Sequence, residues 1–167
     1  MRYTQRQTGL EVTLEPAVQA VASVVLLHGL GADGTDFVPI VDELHLPDSI
    51  PVRFVFPHAP LRPVTANAGY VMRAWYDIKS FTPEGRADAA GLAESVGRVD
   101  GYLRNEVARG VAATGIVLAG FSQGGAVALA AGLRFPARLA GILALSAYLP
   151  FPQTLAAERS IANADVP

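Results

Sequence analysis

The chain has 167 residues, 51% of them hydrophobic, a length and composition that fit one globular domain with a sizeable core and leave no room for a second. A formal net charge of -2 with only 17% charged residues provides no basic field to neutralise phosphates, so nucleic acid is not an expected partner. Cysteine is absent, which removes disulfides, thiolate metal sites and a cysteine nucleophile together.

The N-terminal stretch MRYTQRQTGLEVTLEP alternates polar and apolar residues without a continuous apolar segment of signal-peptide length. No run approaches the roughly 20 apolar residues that span a bilayer. The expectation is a cytoplasmic protein without stable membrane insertion. Residues 3–14 read as one or two short strands around a turn at Gly9, with Val12 and Leu14 on one face. The run VASVVLL, 21–27, is rich in β-branched residues and stops at HGLGADG, which predicts a strand buried on both faces of a parallel sheet. A helix is expected from about Thr35 to Leu44.

VRFVF, 52–56, predicts the next strand, ended by PHAPLRP. Residues 57–83 then read as a long connection without a regular element of its own, punctuated by Pro57, Pro60, Pro63, Gly69 and Pro83 around the aromatic knot AWY, 74–76. Such connections are usually functional or disordered, and Val71, Met72, Trp75 and Tyr76 argue against disorder. From about Asp88 to Arg109, Leu92, Val96, Val99, Leu103 and Val107 recur at helical spacing, and Glu94 with Arg98 and Asp100 with Arg104 place opposite charges four apart. An amphipathic surface helix follows from that pattern. GIVLAG (strand), SQGGAVALAAGLRF (helix) and LAGILALSAY (strand and loop) complete an alternation that predicts a right-handed, mostly parallel α/β sheet with helices on both faces.

The chemistry concentrates in GFSQGG, 120–125. In G-x-S-x-G, a serine between strand and helix sits on a turn so tight that side chains at the flanking positions, here Gly120 and Gly124, would collide with neighbouring backbone. The hydroxyl of Ser122 is then raised above the sheet as a candidate nucleophile; the alternative is an N-capping serine in an ordinary glycine-rich turn. A nucleophile of this kind needs donors for a developing oxyanion. The amide of Gln123, at a helix start, is one candidate, and the amide of Leu30 in HGLG, 28–31, is the second.

HGLGADG, FPHAPLRPVTANAGYVMRAWYDI and GFSQGG together resemble the carboxylesterase and acyl-protein thioesterase (phospholipase/carboxylesterase) group of α/β-hydrolases, from about residue 21 to the end of the chain. The resemblance is greatest to small bacterial carboxylesterases. It implies an α/β-hydrolase fold, Ser122 as nucleophile, Leu30 and Gln123 as oxyanion hole, and no metal or organic cofactor. The activity implied is serine carboxylesterase hydrolysis of short- to medium-chain acyl esters, a small-molecule substrate class, with acyl-protein thioesterase or lysophospholipase as the alternative. Met72 and Trp75 would line or support the acyl pocket.

In this fold the partners of the serine follow in the order Ser, Asp, His. After Ser122 the only acids are Glu158 and Asp165, and no histidine follows His58. His28 and His58 fall in stretches to which the resemblance gives structural roles, His45 falls in a predicted surface loop, and Asp165 comes too early for the family's acid. The triad Asp and His are therefore not in this chain, and the fold is expected to lack its last strands here, residues 1–167 forming about three-quarters of a longer single-domain protein. On that expectation ILALS, 142–146, is an exposed sheet edge that pairs with the chain's own C-terminal segment as a separate piece or with a second copy. Taken alone, the chain is expected to be a nearly silent hydrolase scaffold.

Overall fold

The computed structural model describes residues 3–47, 49–80 and 88–167. In chain order the strands are β1 (Tyr3–Gln7), β2 (Glu11–Pro16), β3 (Ala22–Leu27), β4 (Val52–Pro57), β5 (Leu61–Val64), β6 (Tyr70–Arg73), β7 (Ile116–Phe121) and β8 (Gly141–Leu145). The α-helices are α1 (Ile40–Glu43), α2 (Ala89–Ala108), α3 (Gln123–Gly132) and α4 (Pro152–Glu158). Six strands form the main sheet in the order β1-β2-β4-β3-β7-β8, and β5 with β6 form a separate hairpin. β1, β2 and β4 run antiparallel, whereas β4, β3, β7 and β8 are mutually parallel. This is the mostly parallel α/β sheet that the alternation of elements predicts, in the arrangement that the resemblance implies.

The two faces are covered unequally. On one, α2 and α3 close a large core around Trp75, Tyr76, Leu103, Ile116 and Leu118. On the other, Val12, Leu14, Val52, Phe54 and Phe56 pack against Phe37, Val38 and Val41. α1 is a single turn, and the β3 residues on that face, Ala22, Val24 and Leu26, pack against the cluster only partly buried. β3 therefore alternates, with Ser23, Val25 and Leu27 buried and Ala22, Val24 and Leu26 only partly so. The expected two-sided burial belongs instead to β4, in which every residue is buried.

Three further expectations are corrected. The helix read over 35–44 is broken into a 3-10 turn, Gly34–Phe37, and α1, because Pro39 carries no N–H and cannot continue the ladder. The helix read over 122–135 is shorter, starting at Gln123 and ending at Gly132. Within residues 57–83 the β5–β6 hairpin supplies a regular element, with Leu61 opposite Arg73 and Val64 opposite Tyr70. A proline obscures it in the sequence, yet a two-stranded hairpin tolerates Pro63 at its edge, and Ala68 and Gly69 turn the chain with φ of 52° and 76°. Residues 81–83 of that stretch lie outside the described residues.

α2 has the predicted amphipathic face, capped by Asp88, whose carboxylate accepts the Gly91 N–H. Leu92, Val99 and Leu103 are buried, while Val107 is 44% exposed. Both predicted charge pairs form, Arg98 with Glu94 and Arg104 with Asp100. Beneath the other end of α2 runs an ionic network that no local pattern announces: Arg53 of β4 bonds Glu15 of β2 at 2.8 Å and Glu106 of α2 at 2.9 Å, and Arg109 bonds both carboxylates. At the sheet edge, the Ile142 N–H donates to the Pro167 carbonyl at 2.9 Å, while Leu143 and Leu145 remain 49% and 40% exposed. Among the described residues no helix is long and apolar enough to cross a membrane.

Candidate active site

Ser122 sits between β7 and α3 with φ 53° and ψ -117°, a conformation that L-residues rarely adopt. Its N–H donates to the Leu145 carbonyl and its carbonyl accepts from the Ala126 N–H, so sheet and helix hold the strained turn from both sides. Ser122 occupies the N-cap position, but its hydroxyl makes no capping bond. That geometry does not fit the capping alternative, in which the hydroxyl would be spent on the helix end.

The flanking glycines have a steric reason. A Cβ on Gly120 would lie 2.3 Å from the Gly124 carbonyl oxygen, and one on Gly124 would lie 2.3 Å from that of Leu27 and 2.5 Å from that of His28. Only glycine lets the first turn of α3 approach β3 this closely. Parallel pairing of β3 with β7, Leu27 opposite Gly120, then brings the loop after β3 alongside the serine.

That loop is held by two buried imidazoles. His28 Nδ1–H donates to the Gly29 carbonyl at 2.7 Å, and Nε2 accepts the Ala59 N–H at 3.0 Å. His58 Nδ1 accepts the Gly34 N–H at 3.0 Å. Burial lowers the pKa of both rings, for His58 with help from the nearby Arg73 cation. The nitrogens that accept these N–H groups carry no proton, and the lowered pKa values favour that state. Gly31 turns with φ 76° and donates its N–H to the Arg73 carbonyl. Among the described residues, the Leu30 and Gln123 amides have no backbone or side-chain acceptor.

Leu30, Ser122 and Gln123 line one cavity of about 290 Å³ with Tyr76, Ile78, Ser146 and Tyr148. The structure brings together the serine and both amide-bearing residues, and it sets the two residues expected to line or support the pocket behind the 28–31 loop, outside the lining. Trp75 is 1% exposed and lies beneath the site, its indole N–H donating to the His28 carbonyl at 2.8 Å. Met72 lies against the same loop, its sulfur 3.6 Å from where a Gly31 Cβ would be. Neither is among the lining residues. Trp75 supports the loop beside the cavity without lining it, and the lining side chains of the same AWYDI stretch are Tyr76 and Ile78. Ser146 and Tyr148 were missed because they follow β8, which becomes a neighbour of Ser122 only when the strand order is known.

No histidine of this chain is poised as base for Ser122. Both His28 nitrogens are engaged, His58 serves the Gly34 turn, and His45 lies in an exposed loop bonded to the Glu43 carbonyl. None of the three lines the cavity. The late carboxylates are also committed, Glu158 to Arg134 and Asp165 to Arg138.

Fold and elbow together define an α/β-hydrolase of the serine type. The chain belongs to the phospholipase/carboxylesterase family, whose model matches residues 8–167. Acyl-protein thioesterase 1 of Yarrowia lipolytica is 40% identical over 148 residues, covering 87% of this chain and 65% of that protein. The chain spans 58–65% of the length of the curated acyl-protein thioesterases it matches in three fungi. Arabidopsis thaliana SOBER1 superposes with a TM-score of 0.79 at 32% identity, covering 84% of this chain and 68% of that one. Esterase PE8 gives 0.72 at 32%, covering 96% and 71%.

Proposed function

We propose that this chain carries the nucleophile and oxyanion hole of a serine acyl hydrolase that cleaves acyl esters and thioesters through an acyl-enzyme on Ser122. The observation that carries the reading is the strained, uncapped Ser122 sharing a cavity with the unengaged Leu30 and Gln123 amides. In the reaction the Ser122 oxygen attacks the acyl carbonyl as a base removes its proton. The tetrahedral oxyanion is stabilised by the two amides, and collapse expels the alcohol or thiol with that proton. Water then attacks the acyl-serine and releases the acid.

The 40% identity to a protein named acyl-protein thioesterase gives the thioester more weight than a reading of the motifs alone. Carboxylesterase activity on oxygen esters is the second reading, favoured by the likeness to esterase PE8. In either case the proton acceptor is not one of the chain's own histidines, so efficient turnover needs a base from outside these 167 residues.

Imidazole in solution can stand in for that base. Turnover of p-nitrophenyl butyrate and of S-ethyl thiobutyrate is measured with and without added imidazole, for the chain and for Ser122→Ala. The expected result is imidazole-stimulated turnover above the variant's rate, with acylation mapped to Ser122. Equal rates for the two proteins would refute the assignment, and the ratio of the two substrates decides between thioester and ester preference.

A further inference from the structure

After β6 ends at Arg73, the chain runs through residues 74–76 without a sheet ladder to hold it, although Trp75 and Tyr76 are each only 1% exposed. Buried backbone polar groups require partners, and here three come from Gly31 and Gln123 beside Ser122, while the Ala74 N–H donates to the Pro60 carbonyl. The Trp75 N–H donates to Gln123 Oε1 at 2.9 Å, and Gln123 Nε2 donates to the Tyr76 carbonyl at 2.8 Å. The Gly31 N–H donates to the Arg73 carbonyl at 2.9 Å, and the Trp75 indole N–H donates to the His28 carbonyl at 2.8 Å. Ser95 of α2 caps the Trp75 carbonyl from below.

The glutamine is itself 4% exposed. A methionine or leucine would fill that volume without desolvating a carboxamide, so the polar side chain is explained by its bonds and not by its bulk. Those bonds lead to the segment that also holds the Gly29–Gly31 turn. One residue thus presents its amide to the cavity while its side chain grips the strap that fixes the other amide.

Building on the serine-hydrolase reading, we propose that the Gln123 carboxamide and the Trp75 indole are positioning residues of the oxyanion hole, which clamp the strap Arg73–Tyr76 so that the Leu30 and Gln123 amides keep a fixed separation. Two donors on independent loops would each reorganise as charge develops, whereas donors tied to one buried strap arrive preorganised. A displacement of about 1 Å at such a site costs on the order of a hundredfold in rate.

The test uses Gln123→Met, which keeps the shape and removes both side-chain bonds. Amide hydrogen exchange is read at Gly31, bonded to the strap, and at Val25, in the middle of β3. Gly31 is expected to exchange about tenfold faster with Val25 unchanged. In the imidazole-supported assay kcat is expected to fall about 10- to 100-fold with KM within about twofold, since the hole acts on the transition state. Trp75→Phe, which removes the indole N–H together with part of the buried ring system, should give changes of the same kind at Gly31 with Val25 unchanged, and the double variant should fall short of the product of the two. If Gln123→Met does not fold, Trp75→Phe alone supplies both comparisons.

Unchanged Gly31 exchange would overturn the proposal. So would equal acceleration at Gly31 and Val25, the sign of general destabilisation, or a loss confined to KM. If the unmodified chain shows no Ser122-dependent turnover, the hydrolase reading fails while the Gly31 and Val25 comparison still decides whether the clamp exists.

Discussion

Gly124→Ala isolates the physical requirement of the elbow in a single methyl group. The added Cβ would lie 2.3 Å from the Leu27 carbonyl oxygen and 2.5 Å from that of His28, so these oxygens must retreat by at least ~0.7 Å and ~0.5 Å to reach even a tight contact. Neither is free to move. Leu27 is paired in the sheet opposite Gly120, and the His28 carbonyl accepts the Trp75 indole. Overpacking against backbone of this kind costs about 3 kcal/mol, which for a domain of this size lowers Tm by roughly 6–12 °C. The same substitution at Gly97, on the exposed face of α2 with nothing within 4 Å of the new Cβ, should instead stabilise by about 1 kcal/mol and raise Tm by roughly 2–4 °C. Thermal unfolding followed by circular dichroism measures both. A Gly124→Ala protein melting within about 2 °C of the parent would refute the account of why this position is glycine.

Arg53→Met leaves the buried Glu106 carboxylate and its neighbour Glu15 with Arg109 as their remaining cation, and should destabilise by about 3–5 kcal/mol; denaturant titration checks this. Exchanging Arg53 for methionine together with Glu106→Leu should recover much of that loss, because the uncompensated charge is gone. Stability should also depend on pH through His28 and His58. Their folded pKa values lie below the ordinary 6.5, so the unfolded chain binds more protons as pH falls. Their contribution is complete above about pH 6.5 and is lost as pH drops toward the folded values. Tm should therefore fall between pH 7.5 and 5.5, a window above that of Glu15, whose pKa is raised by burial but lowered on balance by Arg53 and Arg109. His58→Asn, which retains an acceptor for the Gly34 N–H, should flatten part of that decline; an unaltered slope would remove His58 from the explanation.

Much of the site could be read from residues close together in the chain. GFSQG and HGLG each encode a local backbone shape, because a glycine requirement at a strand-to-helix turn follows from the geometry of a few consecutive residues. The pattern of α2 is legible for the same reason, since side chains three and four apart share a face. Helix breaking at Pro39 was also open to this reasoning, and the run of apolar residues around it masked the signal.

What the sequence by itself determined, then, is the alternation of elements, the glycine-flanked serine turn of GFSQG and the glycine turn of HGLG. Tertiary structure alone decided which side chains of AWYDI face the cavity, that Ser146 and Tyr148 join it, and that the Gln123 side chain reaches Trp75 and Tyr76. It also decided that Arg53 meets Glu106, 53 positions away. The division has one physical cause. Local turns and helix faces depend on bond geometry within a few residues, whereas the strap, the cavity wall and the ionic network depend on the strand order β4-β3-β7-β8 and the helix packed upon it, which no short stretch of residues encodes.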